Sequence, residues 1–435
     1  MDLSMDFKML ISLVIFTATV VSFIWRKIPM AITAIASMVL YYVTGCIDAK
    51  TALSGFANSN TMMIASMFIV AEGFGRTRFI TRIASLVSRI SAGSWRKAMV
   101  GYCLLTALLS QFIQSPSAAF VIVSPIVLAS CAQMGVSPSK AIFPIGLIAI
   151  ATCGVLPIGT SATNFATLNG YLQMFDYTEY QFRVWDIALA RFPAMLLVLL
   201  WCIFLADRLA PESPIVPLES IAMGRKNAFD KLSPFHEWSA ILIFCIVSLS
   251  LLLSPVINLP QWAICMTGAI LMIVFGVLKE TEAYHAIPAG MLVLYAGSLA
   301  TGAALTSTGA GDLIGGALAT FGNAIGNTFV FYAIFFFVPF VLTQFMNNLA
   351  LLNIFTPVSI MTAKALGVSP IGLCLLVQAA ALCAFMTPMA TATAPMIMGL
   401  GGYDLRSMFR QGLIPGLLIW LVSTAWAVVV FPIAL

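Results

Sequence analysis

Long apolar stretches separated by short polar connections make up most of this chain. Twelve such stretches lie near 9–25, 28–45, 58–74, 95–131, 139–171, 188–207, 237–254, 260–278, 286–306, 326–365, 369–401 and 412–433. A helix that crosses a bilayer needs about 20 apolar residues. Only helices and closed barrels satisfy their backbone hydrogen bonds inside lipid. The pattern therefore predicts an all-α polytopic membrane protein.

Four of these stretches are too long for one straight span and contain helix-breaking residues. Stretches 95–131, 139–171, 326–365 and 369–401 have Pro, Gly, Ser, Thr or Asn near their middles. Irregular backbone at membrane depth is tolerated where it lines a cavity. We expect re-entrant hairpins near 95–131 and 326–365, and discontinuous helices near 139–171 and 369–401.

An internal repeat relates the two halves of the chain. A shift of 232 residues places 115–171 on 347–403 without a gap. The tetrapeptide Gly-Val-Ser-Pro at 135–138 then falls on the same tetrapeptide at 367–370, and a Gly-Tyr pair also coincides. Chance similarity between apolar stretches does not explain why these Gly, Pro and Tyr residues coincide in one ungapped alignment. We therefore expect two structural repeats.

The basic residues predict that these repeats have opposite orientations in the membrane. Segment 76–97 contains six Arg or Lys and no acid, whereas its counterpart 308–328 contains a single acid and no base. The positive-inside rule places the first segment in the cytoplasm and the second outside. We therefore predict a first inverted repeat at 1–207, a cytoplasmic linker at 208–236 and a second repeat at 237–435.

The same topology places 16 of the 21 Lys and Arg residues on the cytoplasmic side. The five basic residues left outside are Lys8, Lys50, Arg183, Arg191 and Lys364. This topology puts no Lys or Arg at the midplane of the membrane. An anion bound there would be held by helix dipoles and hydroxyl groups.

Composition excludes several classes of function. The 435 residues are 61% hydrophobic and 9% charged, with a mean hydropathy of +1.03, whereas soluble domains are roughly 25% charged. The net charge of +5 lies in loops and indicates no nucleic-acid partner. Two histidines, with no HExxH or GxSxG motif, give no enzyme site. We expect no enzyme and no cofactor, and we interpret the nine cysteines as small core residues.

Polar residues cluster at four places within the long apolar stretches. Two clusters are hairpin tips, Gln114-Ser115-Pro116-Ser117 and Met346-Asn347-Asn348-Leu349, and two are helix breaks, 159–164 and 391–395. A helix that resumes after a break presents free N–H groups and a positive dipole end, which favour an anion. The helix that ends there exposes carbonyl oxygens suited to Na⁺. These residues predict a site for a small anion and a cation, although Ser and Thr also serve close helix packing.

Several segments resemble the divalent anion:sodium symporter family of the ion transporter superfamily. They are the Gly-rich span 294–309, the hairpins that begin Leu109-Ser-Gln-Phe and Leu342-Thr-Gln-Phe, and Gly159-Thr160 followed by Asn164. The resemblance implies an elevator-type secondary transporter of dicarboxylates, citrate or sulfate, commonly Na⁺-coupled, that forms a homodimer. We expect it in the inner (plasma) membrane as a multi-pass protein.

The resemblance also assigns candidate site residues. Those expected to contact the substrate are Ser115, Ser117, Thr160, Asn347, Asn348 and Thr393. Those expected to contact Na⁺ are Ser115, Gly159, Asn164, Asn348 and Thr391.

Three alternatives remain open at this stage. The sequences of the two hairpin tips are Ser-Pro-Ser and Asn-Asn-Leu, where the family has Ser-Asn-Thr. A Na⁺-independent anion exchanger and a proton-coupled carrier are therefore two alternatives to a Na⁺-coupled transporter. Glu72 is the one candidate for a proton-coupling carboxylate, but we expect it to pair with Arg76, four residues on. A channel is the alternative from another class, and it requires a continuous polar pore.

Overall fold

The computed structural model describes residues 3–25, 27–78, 94–113, 115–158, 164–218, 232–253, 259–287, 289–344, 348–387, 391 and 393–433. Over these residues the chain forms 19 α-helices, two short 3-10 turns and no strand, which confirms the all-α prediction. The helices are α1 (Leu3–Trp25), α2 (Met30–Val43), α3 (Ala49–Leu53), α4 (Ser59–Gly75), α5 (Trp95–Phe112), α6 (Pro116–Met134), α7 (Ile142–Ala151), α8 (Asn164–Met174), α9 (Asp186–Phe204), α10 (Pro234–Leu252), α11 (Gln261–Val274), α12 (Glu280–Ala286), α13 (Ala289–Ser307), α14 (Ala310–Ile325), α15 (Thr328–Thr343), α16 (Asn348–Leu366), α17 (Ile371–Ala381), α18 (Thr393–Gly401) and α19 (Leu405–Val430).

Each of the four long apolar stretches is a pair of helices, as predicted. The helix pairs α5–α6 and α15–α16 form the two hairpins, and α7–α8 and α17–α18 form the two discontinuous helices. Five helices in the described part of the chain are long and apolar enough to cross a membrane unaided: α6, α9, α10, α16 and α19. In each of the four stretches, the two helices are separated near the polar residues that interrupt the apolar sequence, as expected.

The outer surfaces of several helices are strongly apolar. Val43 on α2, Val274 on α11 and Val429 on α19 each expose more than 70% of their area. Eight of the nine cysteines are buried and only Cys245 is exposed, which confirms their interpretation as core residues. Apolar faces of this kind are suited to lipid rather than to water, in agreement with a multi-pass membrane protein.

The repeat seen in the sequence is also present in the helices. Both α6 and α16 have 19 residues, and both ends of α16 lie 232 residues beyond those of α6. The order long, long, short, long in α1–α4 returns as α10–α13. The two-repeat division at 1–207 and 237–435, and the inverted orientation, stay predictions.

Helix packing divides the described helices into two groups, apart from α14, which packs chiefly against α16. In the first group (α1–α4 and α10–α13), α4 packs against α11 and α2 packs against α13. In the second group (α5–α9 and α15–α19), α9 packs against α19, and α17 packs against α15 and α16. The contact between α2 and α13 is close because of Gly297, where an added Cβ would lie 2.8 Å from the Ala34 backbone. The two groups meet chiefly where α8 packs against α4 and α13.

Candidate functional site

A cavity of about 490 Å³ lies where the two groups of helices meet. Six predicted site residues line it together: Ser115, Ser117, Asn164, Asn348, Thr391 and Thr393. The other three predicted residues, Gly159, Thr160 and Asn347, lie outside the described residues. The structure thus brings the described part of both tips and both breaks into one site, as the repeat suggested.

Four helices begin at this cavity. Ser115 is the N-cap of α6, and Asn164, Asn348 and Thr393 are the first residues of α8, α16 and α18. The first turn of a helix has N–H groups without intrahelical partners and carries a partial positive charge. Four such ends around one cavity create a positive potential without any charged side chain.

The first hairpin tip is bound to the second helix break. The Ser115 hydroxyl accepts a hydrogen bond from Ala118 N at 3.3 Å, which caps α6. The hydroxyls of Ser117 and Thr393 lie 2.9 Å apart and hydrogen-bond to each other across the cavity wall. Thr393 is fully buried, so this bond joins the two halves of the chain inside the site.

The second hairpin tip is bound to the end of α17 through Thr343. The Thr343 hydroxyl lies 3.0 Å from the side-chain oxygen of Asn348 and 3.0 Å from the carbonyl oxygen of Ala381. Thr391 completes this side, since its hydroxyl donates to Ala384 O at 3.4 Å. The first residue of α16 and the break that follows α17 are therefore held as one unit.

Two glutamines that we did not predict hold the helix breaks open. The Gln111 amide nitrogen donates to Thr152 O at 2.9 Å, and its oxygen accepts from Leu156 N at 2.9 Å. In the second half, Gln344 donates to Cys383 O at 2.9 Å and accepts from Met386 N at 3.1 Å. Both glutamines follow Ser or Thr and precede Phe near the hairpin tips. That shared tripeptide was the available signal.

Further polar residues of the cavity wall were also missed. Tyr171 donates a hydrogen bond to the side-chain oxygen of Asn353, and its ring meets that of Tyr295 edge-on at 5.8 Å. Gly170 allows this arrangement, because a Cβ there would collide with the Tyr295 hydroxyl. Gln378 also lines the cavity, and its buried amide oxygen has no partner among the described residues. Tyr171 belonged to the repeated Gly-Tyr pair, but its local sequence did not indicate a site.

No charged side chain is among the described residues that line the cavity. A buried arginine lies directly behind the wall, however. Arg191, which is predicted on the outer side of the membrane, is only 3% exposed within α9. Its guanidinium donates to Cys153 O at 3.0 Å, and Cys153 lines the cavity. The sequence did not indicate this contact, because a lone cation at the edge of an apolar stretch resembles a loop residue.

Glu72 lies in an ion-pair cluster rather than in the cavity. Arg76 contacts Glu72 at 3.1 Å, as predicted, and Glu282 of α12 at 2.8 Å. The hydrogen bond from Arg76 lowers the pKa of Glu282 below its ordinary value. The Glu72 side chain is 45% exposed, so this acid is solvated and paired at the end of α4.

Comparison with known proteins identifies the class of molecule. The sequence model of the citrate transporter family, CitMHS, matches residues 20–377. The sodium-dependent dicarboxylate transporter SdcS of Staphylococcus aureus (strain USA300) is 25% identical over 95% of this chain and 84% of its own length. The uncharacterized transporter YfbS of Escherichia coli is 27% identical over 49% of this chain, which covers 34% of YfbS. These matches confirm the family resemblance and show a transporter rather than an enzyme.

Two solved structures show the same fold. The YdaH transporter of Alcanivorax borkumensis superposes with a TM-score of 0.61 and 16% identity, over 88% of this chain and 86% of that chain. MtrF of Neisseria gonorrhoeae superposes with a TM-score of 0.62 and 15% identity, over 90% of this chain and 84% of that chain. At these identities the likeness supports the architecture of a membrane transporter.

Proposed function

This chain belongs to the citrate transporter family, and we propose that it is a secondary active transporter of a small dicarboxylate-like anion, coupled to Na⁺. The observation that carries this proposal is the convergence of four helix N-termini on one cavity, whose described lining has Ser, Thr and Asn side chains and no charged one. Backbone N–H groups and hydroxyls bind carboxylates without a fixed charge in the wall. Binding of this kind is weak enough for a carrier to release its cargo.

The size of the cavity is consistent with such a substrate. Small-molecule sites typically enclose about 300–1,000 Å³, and this cavity encloses about 490 Å³. Hydroxyl and amide groups line the cavity from both hairpin tips, at Ser115 and at Asn348. Two separated donor groups suit a molecule with a carboxylate at each end.

The hydrogen bonds of Thr343 support a cation beside the anion. A hydroxyl has one proton, so Thr343 can donate to only one of its two neighbours. Both neighbours are oxygen atoms, the side-chain oxygen of Asn348 and the carbonyl oxygen of Ala381. One of these oxygens is therefore left without this proton and is a hard ligand of the kind that suits Na⁺. Sodium dependence is also the property named for the SdcS relatives.

We further propose that the second group of helices moves against the first, as an elevator. Most of the cavity wall belongs to the second group, whereas Phe68, Leu294 and Tyr295 come from α4 and α13 of the first. Movement of the second group would carry the anion past those three side chains. The first group would then form the interface of a homodimer in the inner membrane.

Proton coupling has less support, since Glu72 is paired with Arg76 away from the cavity. Exchange of anions requires no cation, and it gives no role to the pair of oxygens beside Thr343.

Ligand binding to the purified protein tests the proposal. Succinate, citrate and sulfate are titrated in NaCl and in KCl at fixed pH and ionic strength. We expect a dicarboxylate or citrate to bind at least about tenfold more tightly in NaCl, which corresponds to 1.4 kcal/mol. Equal binding in both salts would contradict sodium coupling, and failure of all three anions to bind would contradict the substrate class.

The site assignment has its own variant. Asn348→Ala removes one amide of the cavity, so we expect about a tenfold loss of succinate affinity. Asn323→Ala is the matched control, because Asn323 is exposed on α14. A monodisperse Asn348→Ala protein with wild-type affinity would refute the assignment.

A further inference from the structure

Arg191 is a buried cation in the second turn of α9 that binds backbone carbonyls. Its guanidinium donates to Ala151 O and Cys153 O at 3.0 Å and to Gly154 O at 3.4 Å. Among the described residues, no carboxylate lies within ion-pair distance of it. Burying an ionised group away from water is costly unless its charge is compensated. Ionisable residues retained inside a membrane generally serve transport.

The three carbonyls belong to the end of α7, where the first discontinuous helix stops beside the cavity. A helix C-terminus carries a partial negative charge, which a cation stabilises. The guanidinium donates hydrogen bonds to these carbonyls, and its positive charge is not neutralised by them. Only Cys153, which lines the cavity and accepts one of these bonds, needs to lie between the charge and the cavity.

Among the described residues, no charged side chain binds the matching helix end in the second half, which is the end of α17. Here α19 places Gly412 against Phe385 and Met386, which follow α17. Neutral groups bind the end of α17 instead, namely Thr343 and Gln344. If the carbonyls only needed donors, hydroxyl and amide groups would serve both halves. The charge itself is the feature that distinguishes the first half.

We infer that Arg191 is a fixed counter-charge for the transported anion and makes the site selective for dianions over monoanions. This inference rests on the proposed function and specifies the charge of its substrate. Arg191 acts through the cavity wall and touches no substrate atom, so it is a positioning residue. A unit charge in a medium of low dielectric attracts a dianion twice as strongly as a monoanion at the same distance.

The affinity for succinate divided by the affinity for monomethyl succinate distinguishes a counter-charge from a purely structural role of Arg191. Succinate and monomethyl succinate are titrated into wild type, Arg191→Gln and Arg191→Lys in NaCl at neutral pH. The glutamine keeps hydrogen-bond donors for the carbonyls but removes the charge, whereas the lysine keeps the charge. Arg183→Gln, at an exposed arginine just before α9, is the matched control.

We expect the ratio of succinate affinity to monomethyl succinate affinity to be the same in wild type, Arg183→Gln and Arg191→Lys. In Arg191→Gln we expect this ratio to be about tenfold smaller. An unchanged ratio in Arg191→Gln would overturn the inference while the proposed function stands. If Arg191→Gln does not yield folded protein, the lysine variant decides, because loss of the ratio there would show that charge is not what matters. If wild type binds neither succinate nor citrate, the proposed function fails together with this inference.

Discussion

At the scale of single residues, the site depends on neutral side chains that are fixed by each other. Ser117 and Thr393 lie 276 positions apart in the chain and hydrogen-bond at 2.9 Å. Thr343 connects Asn348 to the end of α17 in the same way. Hydroxyl pairs fix the donors around the cavity without introducing a charge that would compete with the substrate for Na⁺.

The Ser117–Thr393 bond can be measured by a double-mutant cycle. We expect Ser117→Ala and Thr393→Val to be coupled by about 0.5–1.5 kcal/mol in unfolding free energy, because each change alone leaves the other hydroxyl without its partner. Denaturant unfolding in detergent gives the four values. Thr320→Val on the exposed face of α14 should be additive with Ser117→Ala, and additivity of Ser117→Ala with Thr393→Val would show that the bond contributes nothing.

The sequence predicted those site residues whose polarity interrupts an apolar stretch. Ser117, Asn348 and Thr393 stood out in this way, and the repeat paired their segments. Arg191 and Asn353 did not stand out, because one lies near the start of an apolar stretch and the other lies well inside one. Only the packing of α9 against α7 brings Arg191 behind the cavity wall, and only the packing of α16 against α8 brings Asn353 to the cavity.

At the scale of elements, each helix break requires partners for the carbonyls and amides that it frees. Gln111 supplies them at the end of α7, where it donates to Thr152 O and accepts from Val155 N and Leu156 N. Gln344 supplies them at the end of α17, where it donates to Cys383 O and accepts from Met386 N. A helix end buried without such partners is unstable, so these two side chains keep the irregular backbone beside the cavity.

We therefore expect Gln111→Met to lower the unfolding free energy by about 1–3 kcal/mol, since methionine fills the space but leaves buried backbone groups without partners. Thermal or denaturant unfolding in detergent measures the change. Gln173→Met is the control, because Gln173 is exposed on α8. Equal stability of Gln111→Met and Gln173→Met would contradict this role for the glutamine.

Helix positions followed from the sequence more completely than their short connections did. The hairpins and breaks were predicted because a single sequence shows both the length of each apolar stretch and the polar residues that interrupt it. The short helices α3 and α12 were not predicted, since five and seven residues in a polar connection give no periodic signal. Their positions follow from packing against α13 and α4.

At the scale of the whole molecule, two groups of helices meet at the cavity. Matching contacts in the two halves, α4 with α11 and α13 with α2, indicate approximate two-fold symmetry. With opposite orientations of the repeats, the two hairpins would enter the membrane from opposite sides and meet at its middle. Such an arrangement gives a carrier two similar routes of access, one from each side.

Site-directed labelling tests the opposite orientations. Single cysteines at Arg96 and Asn323, both exposed, are introduced into a protein in which the exposed Cys245 is replaced by serine. We expect an impermeant maleimide to reach Asn323→Cys from outside and Arg96→Cys only in inverted vesicles, because basic segments stay in the cytoplasm. Labelling of both positions from one face would rule out inverted repeats.

The most direct test of sodium-coupled anion transport is uptake of radiolabelled succinate into proteoliposomes. At fixed pH we expect uptake to rise with external Na⁺ and to persist in Glu72→Gln, because the proposed Na⁺ ligands are backbone and amide oxygens at the cavity and Glu72 is paired with Arg76. Uptake that is driven by a pH gradient without Na⁺, and that is lost in Glu72→Gln, would contradict this account.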